Sequence, residues 1–334
     1  MSYQQVKTPK FYVNCLNFLD FTGVQSIPNI YKTLPVNVNS DWGSYNDAET
    51  YYSAGSVKIG ESVGDSITNE ILNDKSFVAV LGHSNIHNSD QGSNYKFQLT
   101  YNQVDNNIIE CTNIINYSST VMNEPDYHGF SIGEFDGLGM SHINFGFKDN
   151  GRDIGGIIIG TQYTMEHSPD LNLTLSRESG LTQKLETKGG STLTNTYWTN
   201  QPKWGNLAAW ELSDDDNYNE VKAFYGNQGR RIWQLSFSYL DQENVFPKNS
   251  NIKDFISGTS GDNFTDNNIL NSNSFFSQVL NKTGMGALPF IFSPDSSSVE
   301  SDNFAICMFD QNSFEFKKIT DSMYSISLTI REVW

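Results

Sequence analysis

Histidines and carboxylates are the side chains of this chain that could perform chemistry, and two histidines have a suggestive spacing. His83 and His87 stand four positions apart, which on a helix would present both imidazoles to one metal ion. They lie in a segment rich in Gly, Asn and Ser, however, and no glutamate completes an HExxH pattern. The pattern therefore predicts neither a metal site nor a cofactor.

Two carboxylates offer a second kind of chemistry. On a β-strand, Glu134 and Asp136 would point the same way about 7 Å apart, a separation that suits a glycosidase pair. The acidic run 214–216 could bind calcium, but it lacks the glycine and the trailing glutamate of an EF-hand loop. Because acidic proteins contain such carboxylate pairs by chance, we predict a protein without enzymatic activity.

Charge and cysteine content exclude further classes of function. The formal net charge is −17. The basic pairs 230–231 and 317–318 are isolated, so the clustered cations that bind nucleic acid are lacking. The three cysteines, Cys15, Cys111 and Cys307, are far apart and odd in number, and they predict buried thiols without a disulfide framework.

The first residues and the hydropathy predict where the chain folds. The start, MSYQQVKTPKFYV, lacks the basic and apolar regions of a signal peptide. No apolar stretch approaches the roughly 20 residues that span a bilayer. We expect a protein that is made and folded in a cytosol and has no membrane partner.

The elements that must position these residues are strands. Aromatic residues are frequent, with 22 Phe and 16 Tyr, and they occur in short runs separated by Ser, Asn, Thr and Gly. Such runs are typical of β-sandwiches. We predict a mostly β fold with two β-sandwich-type domains, the second a sandwich or barrel with one short helix.

The stretch 153–178 marks the predicted boundary between the two domains. Residues 154–160 form an apolar run with glycines, typical of a strand buried on both faces where another backbone comes close. Beyond it, Leu171, Leu173 and Leu175 alternate with polar residues and predict a half-buried strand. The predicted division is 1–74, an N-terminal arm or partial strands; 75–163, the first domain; and 164–334, the second.

Further strands are predicted within each domain. In the first they are 77–82, 95–101, 143–147 and 154–159. The Asn150-Gly151 turn predicts a hairpin of the last two. In the second domain three alternating rows predict strands: Trp233/Leu235/Phe237/Tyr239, Phe304/Ile306/Met308 and Tyr324/Ile326/Leu328/Ile330. Residues 274–280 carry apolar side chains at i, i+1, i+4 and i+5, the face of a short helix.

Three tryptophans are the candidate interface residues. Trp198, Trp204 and Trp210 lie in loop-like segments flanked by Gly, Asn and Pro. Exposed aromatics with a polar rim are typical of protein–protein interfaces. The alternative, that these loops bury their own tryptophans, stays open.

The segments FVAVLGHSN, YKFQLTYN and INFGFKDNGRDIGGIIIG resemble successive strands of the galactose-binding, discoidin-like jelly roll. The resemblance covers about 75–163. It implies that ligands bind in loops at one end, here 82–92 and 124–129, with His83, His87 and His128 as candidate glycan contacts. No sugar-reading triad stands out in these loops.

Several later segments carry a second resemblance, over roughly 150–334. They are HSPDLNLTLSRE, TKGGSTLTN followed by WGNLAAWEL, RRIWQLSFSYL, LPFIFSPD and NFAICMFDQNSFEFKKITDSMYSISLTIREVW. They are similar to the virion structural proteins common in marine tailed bacteriophages. The resemblance implies a distal or minor tail protein in the virion, synthesised in the host bacterial cytoplasm. It also implies a homo-oligomeric ring with other tail proteins as partners.

Two alternatives to this structural role stay open. In one, the chain is a module of the tail that binds a host surface glycan through the jelly-roll loops. In the other, it is a polysaccharide depolymerase that uses carboxylates such as Glu134.

Overall fold

The structure, a computed structural model, describes part of the chain. The described residues are 6–24, 26, 40–41, 52–58, 71–81, 98–101, 108–110, 113–115, 130–135, 137, 142–147, 153–154, 156–178, 181–197, 203–204, 207–208, 230–247, 272–298 and 303–333.

Strands dominate these residues, which confirms the mostly β fold class. The strands are β1 (Lys10–Asn14), β2 (Ser40–Asp41), β3 (Tyr52–Lys58), β4 (Ser76–Leu81), β5 (Gln98–Tyr101), β6 (Ile108–Glu110), β7 (Asn113–Ile115), β8 (Phe130–Phe135), β9 (His142–Phe147), β10 (Asp153–Ile154), β11 (Gly156–Thr164), β12 (Thr174–Glu178), β13 (Leu181–Glu186), β14 (Thr192–Tyr197), β15 (Lys203–Trp204), β16 (Leu207–Ala208), β17 (Arg230–Asp241), β18 (Phe290–Ser293), β19 (Ala305–Phe309), β20 (Lys317–Lys318) and β21 (Met323–Glu332). The helical segments are α1 (Cys15–Phe21), α2 (Gln242–Val245) and a π-helix (Phe276–Asn281).

An antiparallel sheet of eleven strands organises the fold. Its order is β12-β17-β21-β19-β18-β1-β11-β4-β8-β7, and β20 pairs with β21 off this path. A separate four-stranded sheet has the order β3-β9-β5-β6, and three two-stranded pairs are β10–β2, β13–β14 and β15–β16. β1 lies near the middle of the main sheet, between β11 and β18.

Both faces of β1 are buried, each in a different core. Phe11 and Val13 point into the larger core, whereas Tyr12 points into the smaller one. The larger core also receives Trp233, Leu235, Phe237, Phe275, Val279, Leu280, Phe290, Phe292, Phe309, Ile326, Leu328 and Ile330. Among the described residues, the smaller core is lined by Phe77, Ala79, Leu81, Ile132, Ile158, Ile291, Phe304 and Ile306. The alternation of side chains along a strand thus divides one apolar run between two cores.

A glycine makes the pairing of β1 with β11 possible. Gly160 lies opposite Asn14, and a Cβ at this position would come within 1.7 Å of the Val13 carbonyl oxygen. The prediction that glycine marks a close backbone approach in 154–160 is confirmed. Asn14 then caps α1, because its side-chain oxygen accepts from the backbone amides of Leu16 and Asn17 at 3.0 and 3.2 Å.

The predicted hairpin between 143–147 and 154–159 is wrong. β9 pairs with β3 and β5 in the four-stranded sheet, whereas β11 pairs with β1 and β4 in the main sheet. The turn residues Asn150 and Gly151 lie outside the described residues. Two apolar runs near an Asn-Gly pair indicate strands and a turn, but partner choice depends on the rest of the sheet.

The predicted burial after β11 is also wrong. β12 is a strand, yet all five of its residues are exposed. Leu175 is 53% exposed and Leu171, which precedes the strand, is 88% exposed. Leu173 alone of the three leucines packs against the larger core. β12 is the terminal strand of the main sheet, so its own residues are not covered by a core on either face.

The row in β17 is confirmed for its first three members and wrong for the last. Trp233, Leu235 and Phe237 are buried, but Tyr239 is 60% exposed. Tyr239 has a φ of +64°, and the pairing of β17 with β21 shifts between Phe237 and Leu240. Leu240 is buried instead. A β-bulge therefore moves the alternation by one residue.

The predicted helix at 274–280 is confirmed, with a π-helical form over Phe276–Asn281. Phe275, Val279 and Leu280 are buried in the larger core, and Phe276 packs against its margin. Of the other two predicted rows, one runs from Phe304 into β19 and buries Phe304 and Ile306, and the other lies in β21 and buries Ile326, Leu328 and Ile330. Their remaining members, Met308 and Tyr324, are only partly buried.

Strands from each predicted part of the chain meet in the main sheet. β1 belongs to 1–74, β4 to 75–163 and β18 to 164–334. The three-part division and the jelly-roll resemblance of 75–163 remain predictions.

Candidate assembly surface

The binding and interface residues predicted from the sequence lie almost entirely outside the described residues. This applies to Trp198, Trp210, His83, His87 and His128. The backbone of Trp204 lies in β15, where it pairs with Leu207 of β16. The interface and glycan assignments therefore remain predictions.

Glu134, the candidate catalytic carboxylate, is engaged by two groups of the fold. Its Oε1 accepts hydrogen bonds from the Lys10 ammonium and from the Tyr12 hydroxyl, the latter at 3.1 Å. Burial, and then the negative charge of Glu134, raise the pKa of Tyr12, so the phenol stays protonated as a donor. Asp136 lies outside the described residues. Within the described contacts, Glu134 ties β8 to β1.

The chain also carries a GxSxG pattern, Gly60-Glu61-Ser62-Val63-Gly64, which is the signature of a nucleophile elbow. These residues lie outside the described residues. The preceding strand β3 pairs antiparallel with β9, whereas the elbow belongs to the strand-to-helix turn of an α/β-hydrolase sheet.

A buried lysine is the polar centre that sequence reasoning missed. Lys282 follows the π-helix and is 1% exposed. Its Nζ donates to the Ile71 carbonyl at 3.1 Å, to Thr161 Oγ1 at 3.1 Å and to Gln278 Oε1 at 2.8 Å. Burial lowers the pKa of Lys282, against a smaller opposing effect of Cys15.

The contacts of Lys282 indicate a structural role for this side chain. An ammonium has three protons, and each has an acceptor within the protein. A catalytic lysine needs access to a carbonyl substrate, and this one is closed off from solvent. It joins the π-helix to β11 and to the segment that precedes β4. The sequence signal was slight, namely the i, i+4 spacing to Gln278 within a helical pattern.

A second buried charged group is the ion pair of Arg231 and Glu332. The guanidinium binds both carboxylate oxygens, at 3.2 Å from Nε and 3.1 Å from Nη2. Nη2 also donates to the Phe304 carbonyl at 3.0 Å. Burial, followed by the charge of Glu332, raises the pKa of the nearby Cys307 thiol. This bidentate pair joins β17 to the last strand.

Among the described residues, the outer end of the main sheet is one surface that exposes large apolar side chains. In the described residues β12 pairs with β17 alone. Both faces of β12 are exposed, and it presents Leu175 to solvent beside the exposed Leu171. Arg331 of β21 anchors the far end of the strand through Glu178, with Nε to Oε2 at 3.1 Å. An exposed edge strand is a template for pairing with another chain.

The β13–β14 hairpin follows directly after this edge strand. Leu185 and Leu193 lie opposite each other in its ladder, and they are 64% and 59% exposed. Every residue from 185 to 193 is exposed, so both faces of the distal half face solvent. In the described residues the hairpin pairs with no other strand.

The turn of this hairpin is well formed. Thr187 donates its backbone N–H to the Ser191 carbonyl at 2.8 Å, and Gly190 donates to the Thr187 carbonyl at 2.9 Å. Gly190 adopts a φ of +79°, which suits the left-handed position of a three-residue hairpin loop. An isolated two-stranded hairpin is marginally stable in water. A defined hairpin with exposed leucines is therefore suited to contact another surface.

The described residues contain no group of three or more His, Cys, Asp or Glu side chains that could hold a metal ion. In the same part of the chain, no helix is long and apolar enough to cross a membrane. No protein-family model, curated protein or solved structure matches this chain.

Proposed function

We propose that this chain is a structural subunit of a tailed-bacteriophage virion, a distal or minor tail protein that assembles with copies of itself and with other tail proteins. It acts by shape and by contact surfaces, without catalysis. The observation that carries the proposal is the outer end of the main sheet, where the edge strand β12 and the β13–β14 hairpin expose three leucines and Leu171, just before β12, exposes a fourth.

These features fit a subunit better than a protein that acts alone. An exposed edge strand and exposed apolar side chains are liabilities for a free monomer, and contact with a neighbour would bury both. The charged groups that are buried in the described part of the chain, Lys282 and the Arg231–Glu332 pair, are held by partners within the fold. The resemblance of 150–334 to virion structural proteins supports the particular class of particle.

The test is the location of the protein. Phage particles that encode it would be purified on a density gradient and analysed by peptide mass spectrometry, and an antibody against the chain would be imaged on negatively stained particles. We expect the protein at constant stoichiometry in intact particles, with label at the tail. Its presence in the infected-cell lysate but not in washed particles would contradict the proposal.

A further inference from the structure

We infer that Met285 is a site of reversible oxidation on the surface of this protein, where hydrogen peroxide converts the thioether to a sulfoxide. The residue lies in the turn that follows the π-helix, and it is 51% exposed. Neither the exposure nor the chemistry of this side chain depends on the proposed role in assembly.

The turn presents Met285 through three consecutive residues with left-handed backbone. Gly284, Met285 and Gly286 have φ values of +59°, +57° and +90°. This conformation suits glycine, which has no Cβ, whereas a residue with a Cβ is strained in it. The backbone therefore gives no reason for a methionine at position 285, and a strained residue of this kind supports a functional hypothesis.

The two flanking glycines pack closely against the fold. A Cβ at position 284 would lie 2.8 Å from Cε1 of Phe21, and a Cβ at position 286 would lie 3.2 Å from Cβ of Phe309. Both positions are therefore crowded on their inner side. Met285 carries the one side chain of the three residues, and neither neighbour has a side chain that could cover its sulfur.

Hydrogen bonds of the main chain hold the turn in place. The backbone N–H of Met285 donates to the Leu280 carbonyl at 2.7 Å. The backbone N–H of Gly286 donates to Thr283 Oγ1 at 3.2 Å. Because the thioether takes no part in these bonds, a change at the sulfur leaves them intact. Oxidation should therefore alter the surface without unfolding the turn.

The other methionines that the structure describes are less accessible. Met165 is 3% exposed and belongs to the larger core, and Met308 and Met323 are partly buried. Peroxide must reach the sulfur to react, so the rate of oxidation rises with exposure. Of the described methionines, Met285 therefore offers its sulfur to peroxide most readily.

In the reaction, a lone pair of the sulfur attacks one peroxide oxygen, and the S–O bond forms as the O–O bond breaks. The displaced hydroxide takes the proton of the transferred hydroxyl and leaves as water, so the sulfur loses the two electrons that the peroxide gains. A methionine sulfoxide reductase reverses the change. Phe21, which packs against Gly284, is itself 56% exposed, so oxidation adds a polar oxygen beside an apolar surface.

Peroxide treatment of the folded, full-length protein tests the site. Samples quenched over time would be digested and analysed by peptide mass spectrometry for a gain of about 16 Da. We expect Met285 to be oxidised at least about tenfold faster than Met165, and a sulfoxide reductase to restore it. The melting temperature should stay within about 2 °C of that of the untreated protein, and retention on a hydrophobic-interaction column should fall. Met285→Leu is the matched control, since it stays apolar and has no sulfur to oxidise.

Three outcomes would overturn the inference. The first is oxidation of Met165 at the same rate as Met285. The second is a loss of column retention in peroxide-treated Met285→Leu equal to that of the parent chain, which would show that the polar change lies elsewhere. The third is a fall in the melting temperature of the oxidised parent chain that Met285→Leu does not share, which would show that the thioether supports the fold.

Discussion

The hydroxyl of Tyr12 on β1 donates a 3.1 Å hydrogen bond to Glu134 on β8, although β11 and β4 lie between these two strands in the sheet. In a flat sheet, three strand spacings separate β1 from β8 by about 14 Å. Side chains stand roughly perpendicular to a sheet, so the contact requires the sheet to curl. The Tyr12 ring also lies 5.1 Å from that of Phe77 and 6.0 Å from that of Phe304, centroid to centroid.

This curvature explains the smaller core. Tyr12 belongs to this core together with residues from strands on both sides of β1. A curled sheet can bury its concave face with its own residues, as a barrel does. The hydrogen bonds from Tyr12 and Lys10 to Glu134 connect β1 to β8 across the concave face of the sheet.

Removal of the Tyr12 hydroxyl should therefore weaken the fold modestly. Tyr12→Phe keeps the ring and its packing but loses one hydrogen bond to a charged acceptor, and we expect a loss of about 1.5–3 kcal/mol in the free energy of unfolding. Urea denaturation followed by far-UV circular dichroism measures it. The control is Tyr239→Phe, which alters a 60% exposed residue and should change stability by no more than about 0.5 kcal/mol. Equal losses of stability in the two variants would contradict a stabilising hydrogen bond between Tyr12 and Glu134.

Gly160→Ala should disrupt the centre of the sheet. The added Cβ would lie 1.7 Å from the Val13 carbonyl oxygen, so β1 and β11 could not keep their register. We expect destabilisation of more than about 3 kcal/mol, or loss of soluble protein. Gly189→Ala is the matched control, since a Cβ there meets nothing within 4 Å. A Gly160→Ala protein with unaltered melting temperature would show that the two strands do not approach as described.

Lys282 should make stability rise with pH. Its pKa in the folded protein is lowered by burial from the ordinary 10.5, so between the lowered value and 10.5 the unfolded chain binds more protons than the folded one. The free energy of unfolding then increases with pH over that window, by up to about 1.4 kcal/mol per pH unit. Lys282→Met should remove this slope.

The measurement for Lys282 is a set of urea titrations at several pH values from neutrality to about 9.5. Lys75→Met serves as the control, because Lys75 is exposed, and it should retain the slope. Parallel pH profiles for the parent chain and Lys282→Met would contradict a buried lysine with a lowered pKa.

Above pH 10, Tyr163 should make the free energy of unfolding fall as pH rises, the opposite of the effect of Lys282. Burial, and then the charge of Glu166, raise the pKa of this phenol above its ordinary 10.0. Above pH 10 the unfolded chain releases the phenolic proton while the folded protein retains it, so stability falls as pH rises further. Tyr163→Phe should reduce that fall by up to about 1.4 kcal/mol per pH unit.

At neutral pH the same variant should lose about 1 kcal/mol, because the hydrogen bond from the Tyr163 hydroxyl to the Asn244 carbonyl disappears. Thermal melts from pH 9.5 to 11.5 test the alkaline part, with Tyr239→Phe as the exposed comparison. An alkaline transition that is identical in the parent chain and in Tyr163→Phe would refute the assignment.

Local pattern was enough to predict the strands but not their neighbours. The row Trp233, Leu235 and Phe237 was correct because alternation is a property of adjacent residues. It failed at Tyr239, where a bulge set by the pairing with β21 moved the register. The hairpin prediction failed for the same reason, since β9 and β11 found partners in different sheets.

The candidate site shows a similar division. The leucines of 171–175 were predicted to be half-buried, because leucine in an alternating row usually faces a core, but Leu171 and Leu175 are exposed. The sequence does not reveal that this strand would lie at the end of the sheet, and exposure of Leu175 follows from that position. No strand was predicted in 181–197, where the β13–β14 hairpin lies, because its polar, Thr-rich strands carry a weak apolar pattern.

From the sequence alone, composition and alternation determined a mostly β protein, a net acidic chain, a helix near 274–280 and a glycine at a close backbone approach. Only the tertiary structure decided that β1 lies between β11 and β18, that Lys282 is buried against Ile71, and that Tyr12 meets Glu134. These contacts join residues 122 or more positions apart, and the free energy of such pairing depends on the whole sheet. The periodicity of the sequence indicates to which face of a strand each side chain points, whereas the strand that pairs with it depends on the complete fold.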